Sequence, residues 1–359
     1  MVSVGVIGSG AWGTTLAFLL SKKGIATTLW DYQPQRAIAM QQQRENVEFL
    51  PGIHFPVALR VTSDIAEAVE GKEMLLLVTP SQRMRENVHL LAPHVGSEAL
   101  LVNASKGIEI GSLKRMTEVI CEEVPRAQGR VVALSGPTIA QEVAQGKPTA
   151  AVVAAIERDI ANHARSLLNA VWFRVYTASD LVGVELGGAL KNIIAIGAGF
   201  NDGMGYGNNA KAAFMTRGLA EIARLGIAAG ANPLTFTGLA GIGDLIATCA
   251  SPLSRNQQLG RRLAAGEKLN AILASMHSVA EGVSNTKAAL QLAARYGVEM
   301  PITEQLGLVL FEGMDPQKAV PELMMRDPNM SWKDSLTGEL IHTNFWHNFI
   351  LNHLLCRYH

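Results

Sequence analysis

A glycine-spaced turn between an apolar strand and a helix constrains this chain more than any other feature. Residues 2–7 (VSVGVI) read as a buried strand. Gly8-Ser9-Gly10-Ala11-Trp12-Gly13 follows at once and opens a helical pattern over 14–23 that stops at Gly24. In that context each glycine has a task. Gly8 permits the tight turn, Gly10 lets the backbone approach a pyrophosphate, and Gly13 lets the helix pack on the strand. The helix start then turns free N–H groups and a partial positive charge toward the phosphates. A second strand is predicted over 26–30, and Asp31 stands at its end, where an acid can bind the ribose hydroxyls of NAD. Against that, Tyr32 and Arg36 follow closely and a guanidinium there can meet the 2′-phosphate of NADP, and Asp31 has a second reading as a turn cap on the surface. The spacing therefore implies a dinucleotide and leaves NAD or NADP open.

Downstream, apolar strands are predicted over 74–78, 99–103, 131–134 and 150–154, with helical patterns over 65–70, 81–91 and 117–123. Short apolar strands alternating with helices imply a parallel sheet covered on both faces. Near Leu181 the texture changes. Residues 182–199 are rich in Ala, Ile and Gly without strand alternation, and helices are expected over 210–225, 256–265, 286–296, 302–312 and 316–325. The fold class is therefore α/β: an N-terminal Rossmann-like dinucleotide-binding domain (1–182), an all-α substrate and catalytic domain (183–328), and an atypical C-terminal tail (329–359). Residues 342–359 hold four of the nine histidines, His342, His347, His353 and His359. Their spacing keeps the imidazoles off a common helical face, so an extension or subunit-contact tail is expected rather than a metal site.

Composition excludes several classes. Hydrophobic residues at 48% supply a core, which rules out a disordered polar chain. Lys+Arg and Asp+Glu both number 31, so no net charge favours nucleic acid or an anionic membrane. Cys121, Cys249 and Cys356 form no CxxC pair, which indicates neither a disulfide scaffold nor a cysteine metal site and fits a reducing cytoplasm. The first twenty residues are uncharged, but glycines 5, 8, 10 and 13 interrupt them and Lys22 and Lys23 follow, unlike a secretory signal. No run reaches the roughly 18 uninterrupted apolar residues of a membrane span.

Polar residues break the apolar pattern at four places. Lys106, in Asn103-Ala104-Ser105-Lys106-Gly107, follows a strand, and the carboxyl ends of parallel strands face the ligand crevice. It reads as a group that orients an oxygen-rich substrate, or as a surface lysine. In Ser135-Gly136-Pro137-Thr138, Gly136 allows close backbone approach, and Thr138 either caps a helix or donates to substrate. Lys191 and Asn192 interrupt a small-residue apolar helix. A buried ammonium must pair or face a cavity, and burial lowers a lysine pKa from about 10.4 toward values useful for proton transfer. Asp244 is a second charge in a glycine-rich apolar run. Ser254, Arg255 and Asn256 at a helix start combine hydroxyl, guanidinium and amide donors suited to an anion, while Arg255 alone also reads as a solvent-facing cap arginine.

These residues sit in longer motifs: GSGAWGTTLA, NASKGIE, SGPTIAQEVAQGKPTA, ELGGALKNIIAIGAGFNDGMGYGNNAKAA, GLAGIGDLIATC with SRN, and VAEG. Through them the chain resembles the bacterial-type NAD(P)-dependent glycerol-3-phosphate dehydrogenases over about residues 2–328. The resemblance implies reversible reduction of dihydroxyacetone phosphate to sn-glycerol 3-phosphate, feeding glycerophospholipid synthesis. With lysines and fixed donors in place of a Lewis acid and no clustered His, Cys or carboxylate ligands, no metal is expected, and a helical second domain with exposed apolar faces is expected to form a homodimer. The resemblance also implies that Gly8, Gly10, Ala11, Trp12, Gly13, Tyr32 and Ala140 meet the cofactor, that Lys106 contacts cofactor and substrate, and that Gly136 and Thr138 bind substrate. Lys191 is the implied acid/base, with Asp244 orienting either Lys191 or a substrate hydroxyl. Asp244, Ser254, Arg255 and Asn256 line the implied substrate pocket, Arg255 also nears the cofactor, and Val279 and Glu281 close over the dinucleotide. The tail does not resemble the family's ending. Two rival readings are a related two-domain reductase of another hydroxy acid or sugar phosphate, and a non-enzymatic dinucleotide sensor.

Overall fold

Buried branched and long aliphatic side chains set the sheet of the N-terminal half. The computed structural model describes residues 2–276 and 279–325, and the expected tail at 329–359 lies outside the described residues. The strands are β1 (Ser3–Ile7), β2 (Ala26–Trp30), β3 (Glu45–Asn46), β4 (Leu50–His54), β5 (Leu59–Thr62), β6 (Met74–Leu77), β7 (Leu100–Asn103), β8 (Val131–Ser135), β9 (Thr149–Ala154) and β10 (Phe173–Ala178). Eight of them form one sheet in the order β10-β9-β8-β7-β6-β1-β2-β5, while β3 and β4 pair separately. Every residue of β6, β7 and β8 is buried, as strands covered on both faces require.

One pairing departs from the all-parallel expectation. β9 runs antiparallel to β8, with Leu134 opposite Val153. The link between them contains only the five-residue helix Ala140–Ala144. A parallel return is ordinarily made by a full crossover helix; without one, β9 enters the sheet from the end at which β8 leaves it and runs back against β8. The sequence reading also passed over β5 and β10. Both are edge strands carrying polar residues, among them exposed Arg60 and Arg174. The motif helix opens at Ala11 rather than Thr14 and runs Ala11–Lys22.

The Leu181–Met204 helix is the axis of the second half. Asp180 caps it, accepting from the Gly183 N–H at 2.9 Å. The expected boundary at 182/183 falls in its first turn. The helices Gly207–Ala228, Asp244–Ala250, Arg255–Ala264 and Glu281–Tyr296 surround it. Small residues let backbones touch: a Cβ on Gly199 would lie 2.0 Å from the Gln257 carbonyl, and one on Gly260 would lie 1.9 Å from that of Ile196. By length and composition this helix is apolar enough to cross a bilayer, yet 89% of its most apolar window is buried within the protein. It also packs on β8, where a Cβ on Gly188 would sit 2.6 Å from the Ser135 hydroxyl oxygen. The axial helix of one domain is thereby seated at the strand ends of the other.

Candidate active site

The glycine turn has the shape its spacing implies. Gly8 takes φ +111°, a left-handed backbone, and a Cβ there would lie 2.7 Å from the Val78 carbonyl. A Cβ on Gly13 would lie 1.8 Å from the Gly8 carbonyl oxygen, so helix and strand meet only through glycine. At Gly10 a Cβ would meet nothing within 4 Å. Gly10 is the N-cap and contributes no side-chain cap, so the space before the helix N–H groups is open. That geometry fits a bound pyrophosphate. Ala11 and Trp12 are half-buried, and the Trp12 ring rests 6.2 Å from that of Phe173.

Asp31 differs from a carboxylate open to a ribose. It is 1% exposed and saturated: it accepts from the Ser9 hydroxyl, the Gln33 N–H at 2.8 Å, and Arg36 at 2.6 and 3.0 Å. Arg36 lies 5.3 Å from the centre of the exposed Tyr32 ring and 5.1 Å from that of Phe49. A cation clamped beside two rings thus neutralises the acid just past the end of β2.

At the carboxyl ends of β7 and β8 the polar residues converge. Lys106 donates to the Asp244 carboxylate at 2.6 Å, to the Gly136 carbonyl at 2.9 Å and to the Thr138 hydroxyl at 3.5 Å. Lys191, 6% exposed, donates to the other Asp244 oxygen at 2.8 Å and to the Thr248 hydroxyl. One carboxylate therefore bridges two ammoniums from different domains. Burial alone would raise the Asp244 carboxyl, but the paired lysines outweigh it and hold it below the ordinary carboxylate range. Burial pulls Lys106 down to about 8 despite the pull of Asp244 the other way, with the Lys191 charge adding to the lowering. Asp244 reaches this position because Leu239–Gly243 forms a single π-helical turn broken at Gly241, which re-aims the chain into the next helix. Gly136, at φ +126°, packs so tightly on β9 that a Cβ would lie 3.0 Å from the Ala151 Cα. Ala140 starts the short helix after Thr138, and its carbonyl accepts from Thr15 of the motif helix at 3.1 Å.

The Ser254–Asn256 trio divides. The Ser254 hydroxyl accepts from the Gln257 N–H at 3.3 Å and caps its helix. Asn256 is buried, donating to Asn192 at 3.0 Å and accepting from the Gly282 N–H at 2.9 Å. Arg255 is exposed and within the field of Glu281. Glu281 crosses between domains, accepting from the Ser81 N–H at 2.8 Å and the Ser81 hydroxyl at 2.5 Å. Burial raises its carboxyl above the usual range, against the pull of those bonds. Val279 is half-exposed. Among the described residues no His, Cys, Asp or Glu side chains group in a metal-holding cluster.

Sequence reasoning passed over Thr248, Ser81 and Asn285. Thr248 had a signal, one helical turn after Asp244. Ser81 had a weaker one, just past the Thr79-Pro80 stop at the end of β6. Asn285 had none beyond a polar residue on a buried helix face.

A Rossmann-type domain with an open phosphate turn, closed by a helical domain that brings a buried lysine to the strand ends, defines a two-domain nicotinamide-dependent oxidoreductase. The comparisons narrow the class. Residues 3–161 match the N-terminal model, and residues 180–321 the C-terminal model, of NAD-dependent glycerol-3-phosphate dehydrogenase. The glycerol-3-phosphate dehydrogenase (NAD(P)+) of Geobacter metallireducens is 51% identical over 326 residues, covering 90% of this chain and 97% of that one. That of Nitratidesulfovibrio vulgaris is 46% identical, covering 91% and 99%. The crystal structure of the Coxiella burnetii enzyme superposes with a TM-score of 0.86 at 37% identity, over 90% of this chain and 99% of that one. The chain belongs to the NAD-dependent glycerol-3-phosphate dehydrogenase family. A ketopantoate reductase from Ralstonia eutropha, 14% identical with a TM-score of 0.58, shares the fold alone.

Proposed function

We propose that the chain catalyses reversible reduction of dihydroxyacetone phosphate to sn-glycerol 3-phosphate with NADH or NADPH. The observation that carries this is the Asp244 carboxylate held between Lys106 and Lys191 at the carboxyl ends of β7 and β8. The reduced dinucleotide, when bound, supplies the hydride. Lys191 Nζ gives its proton to the oxygen at C2 as charge builds there, combining general acid catalysis with electrostatic stabilisation. Asp244 keeps both ammoniums aimed without spending either on solvent. Lys106, with Gly136 and Thr138, orients the oxygens of the substrate, and Arg255 at its helix start holds the phosphate. Fixing that remote dianion aligns the reacting carbon, where a small misplacement is expensive. Glu281 and Val279 close the cleft over the dinucleotide, and Asp31 with Arg36 sets its adenosine end. The carbonyl chemistry needs no metal where two lysines supply the positive charge. The same reading places the protein in the cytoplasm as a homodimer, with domains at 1–182 and 183–328.

The test is loss of reduced-nicotinamide absorbance on adding dihydroxyacetone phosphate, run with each cofactor. Turnover is expected. Lys191→Ala is expected to cut it roughly a hundred- to ten-thousand-fold while the dinucleotide still binds. Turnover that survives this change means another group donates the proton. Cofactor binding without turnover in the wild type would favour a sensor.

A further inference from the structure

Asn285 is fully buried in the Glu281–Tyr296 helix, yet two of its three hydrogen bonds cross to the other domain. Its amide donates to the Lys106 carbonyl at 3.2 Å and to the Ala189 carbonyl at 2.9 Å, and its oxygen accepts from the Ile108 N–H at 3.3 Å. One carboxamide thus grips the loop at Lys106 and again at Ile108, and grips the axial helix two residues before Lys191. Gly107 closes the joint. A Cβ there would lie 2.2 Å from the Ser81 Cβ and 3.2 Å from the Asn285 oxygen. At the far ends of the two lysine side chains, Asp244 spans the ammoniums. The lysines are therefore tied twice, once through Asp244 at their tips and once through Asn285 at their backbones.

We propose that Asn285 is a positioning residue for the reaction, setting the separation of the Lys106 and Lys191 ammoniums by fastening both backbones to one side-chain amide. The inference rests on the roles given to those lysines under the proposed function. Only Asn offers two donors and an acceptor at this reach. Aspartate has no N–H to give, and alanine leaves three backbone groups without this partner. The Lys106 ammonium faces Asp244, the Gly136 carbonyl and the Thr138 hydroxyl, with the Lys191 charge beyond Asp244. Its shift to about 8 arises mainly from burial, so a loosened loop that admits water moves it back up.

The experiment compares wild type, Asn285→Ala and Asn285→Thr, the last keeping similar volume and one hydroxyl. For Asn285→Ala, kcat/KM for dihydroxyacetone phosphate is expected to fall about 10- to 100-fold. Dinucleotide affinity, by fluorescence titration, should stay within about twofold. The alkaline limb of kcat/KM against pH, expected near the Lys106 value in the wild type, should move upward. Asn285→Thr should recover part of the rate and part of the shift. A folded Asn285→Ala protein with wild-type kcat/KM and an unmoved limb overturns the proposal. If that variant does not fold, the same result for Asn285→Thr overturns it. A wild type inactive on this substrate would instead overturn the proposed function and this inference together.

Discussion

Asp244 shows how much a single residue's role depends on what lies far away in the chain. It stands 138 residues from Lys106 and 53 from Lys191, and it accepts from both. Its sequence context, one acid in an apolar glycine run, marked it as unusual but left two roles open, and the geometry shows a bridge between lysines. The glycines of the turn were more legible, because a backbone's need for room is local. Substitutions at Gly10 and Gly13 are expected to separate cofactor binding from folding. Gly10→Ala meets open space in the protein and is expected to cost about 1 kcal/mol or less of stability, yet to weaken dinucleotide binding more than tenfold. Gly13→Ala drives a methyl into the Gly8 carbonyl and is expected to lose about 1–3 kcal/mol of stability by itself. Urea unfolding and cofactor titration read the two apart. A Gly10→Ala protein that binds as wild type would mean the pyrophosphate does not pass there.

Among the elements, the axial helix was foreseeable because a long run of small and apolar residues has nowhere to go but a core. Its ends and neighbours were not, since helix boundaries depend on capping and on what packs alongside. The Pro301–Phe311 helix shows such a dependence. Glu221, from the Gly207–Ala228 helix, accepts from the Ile302 N–H at 2.6 Å, the Thr303 N–H at 3.2 Å and the Thr303 hydroxyl at 3.1 Å, satisfying that helix's N-terminus. Burial pushes its carboxyl up to about 7 against those bonds. Between the ordinary glutamate value of about 4.5 and 7 the folded protein holds a proton that the unfolded chain releases. The group's contribution to stability is thus complete at low pH and declines as pH rises through that window. Unfolding free energy of the wild type minus that of Glu221→Gln is expected to fall by about 3 kcal/mol from pH 4.5 to 7. A flat difference would mean the group is charged throughout.

At the scale of the whole molecule, the domains meet at a few polar joints. Glu281 is fastened to Ser81, Asn285 to Lys106, and Glu185 to Arg115 at 2.7 Å and the Thr117 N–H at 2.9 Å. Glu281→Ala removes the joint to Ser81. It is expected to weaken dinucleotide binding about tenfold, the scale of one charge-assisted hydrogen bond, with little loss from Lys191-dependent proton transfer once cofactor saturates. A titration showing unchanged affinity would remove Glu281 from the cofactor's side of the cleft. The sequence by itself determined what depends on neighbours along the chain: the strand–turn–helix start, the alternation of strands and helices, and the change to an all-helical second half. Periodicity and backbone room are short-range properties, so a linear string carries them. Only the tertiary structure decided that Arg36 neutralises Asp31, that β9 runs against β8, and that one carboxylate serves two lysines. Each of those outcomes turns on which groups burial forces together, and a pairing across scores of residues has no local signature.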